Sequence, residues 1–125
     1  MNKPVVASSK PERAANVTDG SLFTAWSSEK SDPQWISVDL GATQTVGAVS
    51  LLWAKAYCKA FQIQTGLDTN QWTDVYSETK CRGGFVAASF PQTKAQFVRM
   101  YATERGTDWG GYSLYDLAVF SALPE

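Results

Sequence analysis

In WISVDL, residues 35–40, Ile36, Val38 and Leu40 fall on one side of an extended chain and Trp35, Ser37 and Asp39 on the other. The same two-residue period returns in QFVRMYAT, where Phe97, Arg99 and Tyr101 oppose Val98, Met100 and Ala102. No stretch holds a helical period over three turns. Such runs, divided by clusters of Gly, Pro, Asn, Asp and Thr, specify strands joined by turns, because a period of two buries one face and wets the other. The expected strands are 35–40, 46–53, 61–65, 72–76, 85–90, 97–103 and 113–120, with GLDTNQW as a polar hairpin connection between the third and fourth. The pattern predicts an all-β protein, an antiparallel sandwich or barrel. A chain of 125 residues suffices for one such domain, 1–125, and not for two of ordinary size.

Charge and composition exclude several functions. A net charge of −1 leaves no electrostatic footprint for nucleic acid or an anionic membrane. With no histidine, Ser/His/Asp and Cys/His catalysis and most catalytic zinc sites are excluded. Any enzyme built from this chain would rely on carboxylates alone, and Glu104 and Asp108 are the nearest pair. Nothing in a flexible loop would raise the pKa of one and depress the other, so no catalysis is expected. The start, MNKPVVASS, lacks the apolar core of a signal peptide, and no run reaches the ~20 apolar residues of a membrane span. The end, SALPE, reads as the start of a linker. Together they suggest a module of a larger secreted protein. Cys58 and Cys81 form no CxxC pair and are either bridged or two free thiols. A bridge would contribute about 3 kcal/mol through loop entropy and would belong in an oxidising compartment.

Two features of the last stretch, RGTDWGGYSLYDLAVF, call for partners. From Ser113 onward the chain alternates like a strand, with Leu114, Asp116, Ala118 and Phe120 on one face and Tyr115, Leu117 and Val119 on the other, so Asp116 lies on a strand with two apolar faces. A carboxylate there needs a hydrogen bond or a cation. The polar turn around Asp19, Gly20 and Thr24 is rich in the oxygens that calcium takes, though without EF-hand spacing. The alternative is that Asp19 caps its own turn and Asp116 bonds a backbone N–H or Arg99. The second feature is Trp109 on a loop with Gly110 and Gly111. A sugar packs its C–H face on an aromatic ring while its hydroxyls take hydrogen bonds, and Arg105 supplies a fork within four residues of that ring. The alternative folds Trp109 over the core and pairs Arg105 with Glu104 or Asp108. The other tryptophans, Trp26, Trp35, Trp53 and Trp72, fit core-facing structural positions.

AANVTDGSLFTAWSS, SDPQWISVDLG, FVRMYATERGT and GGYSLYDLAVF, in this order, resemble a coagulation factor V/VIII type C (discoidin-like) domain, and within that superfamily the family 32 carbohydrate-binding modules. The resemblance runs from Ala7 to Phe120. It implies a jelly-roll, galactose-binding-like β-sandwich with one structural calcium, held by the carboxylates of Asp19 and Asp116, the hydroxyl and carbonyl of Thr24, and carbonyls of Asn16, Ser21 and Tyr115. The family usually has Glu where Asp116 stands. It also implies a ligand site on loops at one end, with Trp109 as platform and Arg105, Lys55 and Tyr57 beside it, and Cys58 and Cys81 placed to tie two of those loops. Relatives that bind chitosan or related β-glycans carry acids in the regions of Glu12 and Glu29, and a further acid where this chain has Ala54. The function implied is a monomeric, non-catalytic, secreted module that holds an attached glycoside hydrolase on a polysaccharide, of β-glucan or chitosan type. The alternative is a discoidin-type lipid- or protein-binding adhesion module.

Overall fold

The computed structural model describes residues 3–21 and 24–122; Leu22 and Phe23, and the last three residues of the linker-like end, lie outside them. Seven strands and one short 3-10 helix follow in order: β1 Val5–Ala7, the 3-10 helix Pro11–Thr18, β2 Trp26–Ser27, β3 Gln34–Trp53, β4 Cys58–Gly66, β5 Thr73–Glu78, β6 Phe85–Arg105 and β7 Ser113–Phe120. Every strand pairing is antiparallel. The order β2-β7-β3-β6-β4-β5, with β1 beside β3, wraps into the two layers of the expected sandwich.

The segments 35–40 and 46–53 are two halves of β3, and 85–90 and 97–103 two halves of β6. Their polar linkers, GATQT and PQTK, look like loops because they carry Gly, Pro and hydroxyls. In the fold they keep pairing, Gln44 opposite Ala95 and Thr45 opposite Lys94, as a ribbon crossing from one layer to the other. Register shifts between Asp39 and Gln44 and between Val46 and Ala48 make the bend. Gly41, at φ +87°, supplies the backbone angle that other residues rarely adopt. One layer holds β1, β5, β4 and the near halves of β6 and β3; the other holds β2, β7 and their far halves.

Between the layers lie Ile36, Val38, Phe61, Ile63, Val98 and Met100 on one side and Val49, Leu51, Ala88 and Leu117 on the other, all buried. The inner faces expected for 35–40 and 97–103 are the observed ones. Trp26 closes one end of the core with its indole N–H donated to the Ser9 carbonyl at 2.9 Å.

Two departures from simple alternation shape the rest. In β7, Leu52 faces Asp116 but Trp53 faces Leu114, so Tyr115 is an extra residue that bulges out. The bulge lets Leu114 and Leu117, three apart, both turn into the core at 0% and 3% exposure, and moves Asp116 off the face that strict alternation gives it. On the outer side of the first layer, Trp35 and Trp72 are half-buried rather than core-facing, unlike Trp26 and Trp53. They surround the Arg99 guanidinium, 5.6 and 4.2 Å from their ring centres, with Tyr101 at 5.1 Å. Arg99 Nε donates to Gln64 at 2.7 Å, and Gln64 is held in turn by Asp74 at 2.8 Å. Arg99 is therefore fixed far from Asp116.

Candidate functional site

Three loops meet where β3 ends and β7 begins: 54–57, 79–84 and 106–112. Main-chain bonds tie them together. Ala54 N–H donates to Ser113 O at 2.9 Å, Ser113 N–H to Ala56 O at 2.6 Å, Gly106 N–H to Tyr57 O at 3.0 Å and Trp53 N–H to Gly84 O at 2.9 Å. A cleft of about 470 Å³ opens there, walled by Lys55, Ala56, Trp109, Gly110, Tyr112 and Tyr115. Trp109 is 62% exposed, so it does not fold back as a lid on the core. A second cleft of about 390 Å³, walled by Trp53, Lys55, Tyr57, Arg82, Gly84 and Tyr115, adjoins the first through Ala54, Lys55 and Tyr115.

Glycines make this end possible. A Cβ on Gly111 would stand 2.5 Å from the Glu29 carbonyl oxygen, and one on Gly106 2.2 Å from the Tyr57 ring. The bare backbone thus lets the 28–29 segment and Tyr57 close up on the Trp109 loop. Of the expected residues, Lys55 lines both clefts, Trp109 the first and Tyr57 the second. Glu29 reaches this end with its main chain while its side chain stays exposed, and Glu12, exposed on the 3-10 helix, belongs to neither cleft.

Arg105 lines neither cleft. Its Nε lies 3.2 Å from the Asp32 carboxylate, and the buried Tyr112 hydroxyl donates to the same carboxylate. The partner is thus neither Glu104 nor Asp108; Glu104 pairs with Lys59 at 3.3 Å. Burial, then the hydrogen bond to Asp32, pushes the Tyr112 phenol well above its ordinary pKa, so it remains a donor. Arg105, Asp32 and Tyr112 brace the floor of the site. Three aromatic wall residues escaped the sequence reading, Trp53, Tyr112 and the Tyr115 side chain, whereas Arg82 was expected at this end only under the lipid-binding alternative. The consecutive Gly83 and Gly84, both at positive φ, were the available signal that Arg82 sits on a tight turn facing this end.

Cys58 and Cys81 are both buried free thiols, so the tie between their loops is not a disulfide in this structure. The Cys81 N–H bonds the Lys59 carbonyl at 2.9 Å instead, and the Cys58 thiol donates to Ala60 O at 2.9 Å. Burial first, and the neighbouring Cys81 second, push the Cys58 thiol far up, which keeps it protonated and unreactive.

Alongside β7, next to Asp116 in the middle of the strand, Asp19 caps its turn. Its Oδ1 accepts the Ser21 N–H at 2.9 Å and its Oδ2 the Thr24 hydroxyl at 2.6 Å, which hold its carboxyl below the usual range, Thr24 foremost. Asn16 braces the same turn through its amide, donated to Ala25 O at 2.9 Å. Asp116 faces this turn across a cleft that also includes Thr18 and Gly20. Burial, then the like charge of Asp19, pushes the Asp116 carboxyl up. No hydrogen bond to Asp116 forms among the described residues. Two carboxylates close enough to repel, beside the Thr18 and Thr24 hydroxyls and with no Cys in the cleft wall, fit a hard cation such as calcium, although Lys3 lines the same wall.

The F5/8 type C domain family model matches residues 4–116. Chitosan-binding module 2 of a chitosanase/glucanase from Paenibacillus sp. IK-5, solved in complex with chitotriose, is 38% identical, with 96% of this chain and 97% of that one covered at a TM-score of 0.91. The CBM32 of AlyQ, solved with 4,5-unsaturated mannuronic acid, is 31% identical at a TM-score of 0.83, with 95% of each chain covered. A polysaccharide lyase 8 family protein, HylA, from Enterococcus faecalis is 32% identical over 66 residues, 53% of this chain and only 5% of that protein's length. The chain therefore belongs to the F5/8 type C domain family, and its likeness to the carbohydrate-binding modules of that family extends over nearly its whole length.

Proposed function

We propose that this domain is a non-catalytic carbohydrate-binding module that holds an attached extracellular hydrolase or lyase on a polysaccharide, using the loop end around Trp109. The observation that carries this reading is the exposed indole, raised on a glycine loop over a cleft whose other walls supply hydroxyl and ammonium donors. A pyranose stacks its C–H face on such a ring and bonds its hydroxyls to Lys55, Tyr57 and Tyr115. Relatives solved with chitotriose and with an unsaturated mannuronic acid support a sugar as the ligand. The site is shallow, so affinity per site is modest and proximity to the polysaccharide supplies the benefit.

Calcium belongs to this proposal as a structural ion. Asp19 and Asp116 would hold it by their carboxylates, with Thr24, Asn16, Ser21 and Tyr115 as further oxygen donors. Bound there, it would neutralise the facing carboxylates and pin the 3-10 helix and its turn to β7.

A glycan array of β-glucans, chitosan, galactosides and uronates, run with and without chelator, tests both parts. A hit that disappears in Trp109→Ala supports the site; a calcium-independent melting temperature removes the ion. A second reading, docking on anionic lipid, draws on Phe85, 69% exposed and next to Gly84 of the second cleft wall. With Trp109 it makes two apolar spikes near Lys55 and Arg82. Vesicle binding with a blank sugar array would select it.

A further inference from the structure

The next step rests on the carbohydrate-binding reading and concerns what the sugar carries. We infer that the joined clefts take a glycan bearing carboxylates, a uronate chain, with the acid group turned to Lys55 and Arg82. Five cations sit on or beside the three loops of this end, and one of them, Lys80, lines neither cleft. Lys59 is neutralised by Glu104 and Arg105 by Asp32. Lys55 and Arg82, both exposed, make no ion pair among the described residues, and they are the charged side chains in the walls. Among the described residues no Asp or Glu contributes to either wall.

The remaining wall groups point the same way. Tyr57 and Tyr115 bring phenol hydroxyls, and Trp53, 4% exposed, has an indole N–H with no acceptor among the described residues. Ala54, where the clefts join, adds only a methyl group. An ammonium sugar placed here would meet two uncompensated like charges, and a neutral sugar could hydrogen-bond to them but would leave their charge unbalanced. A carboxylate would take charge-assisted hydrogen bonds from both. Glu29 does not reverse this balance: its main chain abuts Gly111 and its carboxylate stands outside both walls.

Calorimetric titration with a β-1,4-linked uronate tetramer, its carboxyl-reduced neutral counterpart and chitotetraose decides the matter. The parent should bind the uronate about tenfold tighter than the reduced form, with the gap closing as salt rises. The pair Lys55→Gln and Arg82→Gln, both exposed and so neutral for folding, should erase the gap, while the reduced sugar loses no more than the one hydroxyl contact that Lys55 supplies. Lys55→Glu should shift preference toward chitotetraose. Tighter binding of chitotetraose by the parent, or a uronate preference that survives in the double variant, overturns the inference. If the parent binds none of the three and Trp109→Ala is indistinguishable from it, the carbohydrate site itself fails, which is a different result from a lost charge preference.

Discussion

The Arg99 cluster and the Trp109 end both join tryptophan to cations, and they treat those groups oppositely. Around Arg99 the partners are all internal: three rings enclose the guanidinium, Gln64 holds Nε, and Asp74 holds Gln64. At the other end, Trp109 is mostly exposed, and among the described residues Lys55 and Arg82 lack ion pairs and the Trp53 N–H lacks an acceptor. Trp26, by contrast, donates its N–H to Ser9. Aromatic content alone therefore does not mark a binding surface. What marks it is a group of polar and aromatic atoms left without partners in a fold that satisfies comparable groups elsewhere.

The largest effect that could break this contrast is Arg99→Ala, expected to cost about 3 kcal/mol of stability by emptying a ring-lined space and stranding Gln64. Sugar affinity should be unaltered; a chemical-denaturation curve and one titration check both halves. Trp109→Ala should do the reverse, with binding weakened by about 2 kcal/mol and the melting temperature unchanged. A lowered melting temperature would mean that the indole supports the fold after all. Asp32→Asn is intermediate. It loosens both Arg105 and the Tyr112 hydroxyl beneath the site, and about 1 kcal/mol of stability should go with a few-fold loss of sugar affinity.

The smallest effect sharpens the comparison most, because its sign is opposite. Asp116 is held above its ordinary value of 3.8 by burial first and Asp19 second. Its contribution to stability is therefore complete below that ordinary value and is lost as pH rises through the elevated folded value. Asp116→Asn should then raise the melting temperature slightly at neutral pH in calcium-free buffer, whereas Arg99→Ala lowers it under all conditions. Asp19, held low by Thr24 and Ser21, works the other way: its contribution is present above 3.8 and disappears as pH falls through its depressed value. Scanning calorimetry from pH 7 to 3, with chelator, follows both. A lowered melting temperature for Asp116→Asn in chelator would show that Asp116 has an internal partner.

The strand faces were legible in the sequence because period two is a local property. WISVDL and QFVRMYAT bury the expected sides. The Tyr115 bulge was not, since nothing in SLYDLAVF distinguishes an extra residue from a regular one until Trp53 and Leu52 oppose it. The crossings of β3 and β6 were hidden for a related reason: GATQT and PQTK have loop composition, and only their mutual pairing makes them strand. At the site, Trp109 stood out through its adjacent glycines. The partner of Arg105 did not, because Asp32 lies 73 residues away in sequence and local acids offered nearer candidates. Half of the tryptophan assignment failed likewise. The indole of Trp35 argues for the core, yet it lies on the strand face opposite Ile36, Val38 and Leu40, where it meets Arg99 rather than the second layer.

Because β3 and β6 each run through both layers, neither layer can open while the other stays closed. The domain should therefore melt in a single step, without a half-open species in which only one sheet survives. For a part that must keep its grip while whatever it is joined to moves, this linkage has a practical side. Weakening anywhere along the two shared chains shortens the lifetime of the whole unit, including a loop end that the weakened residue never touches.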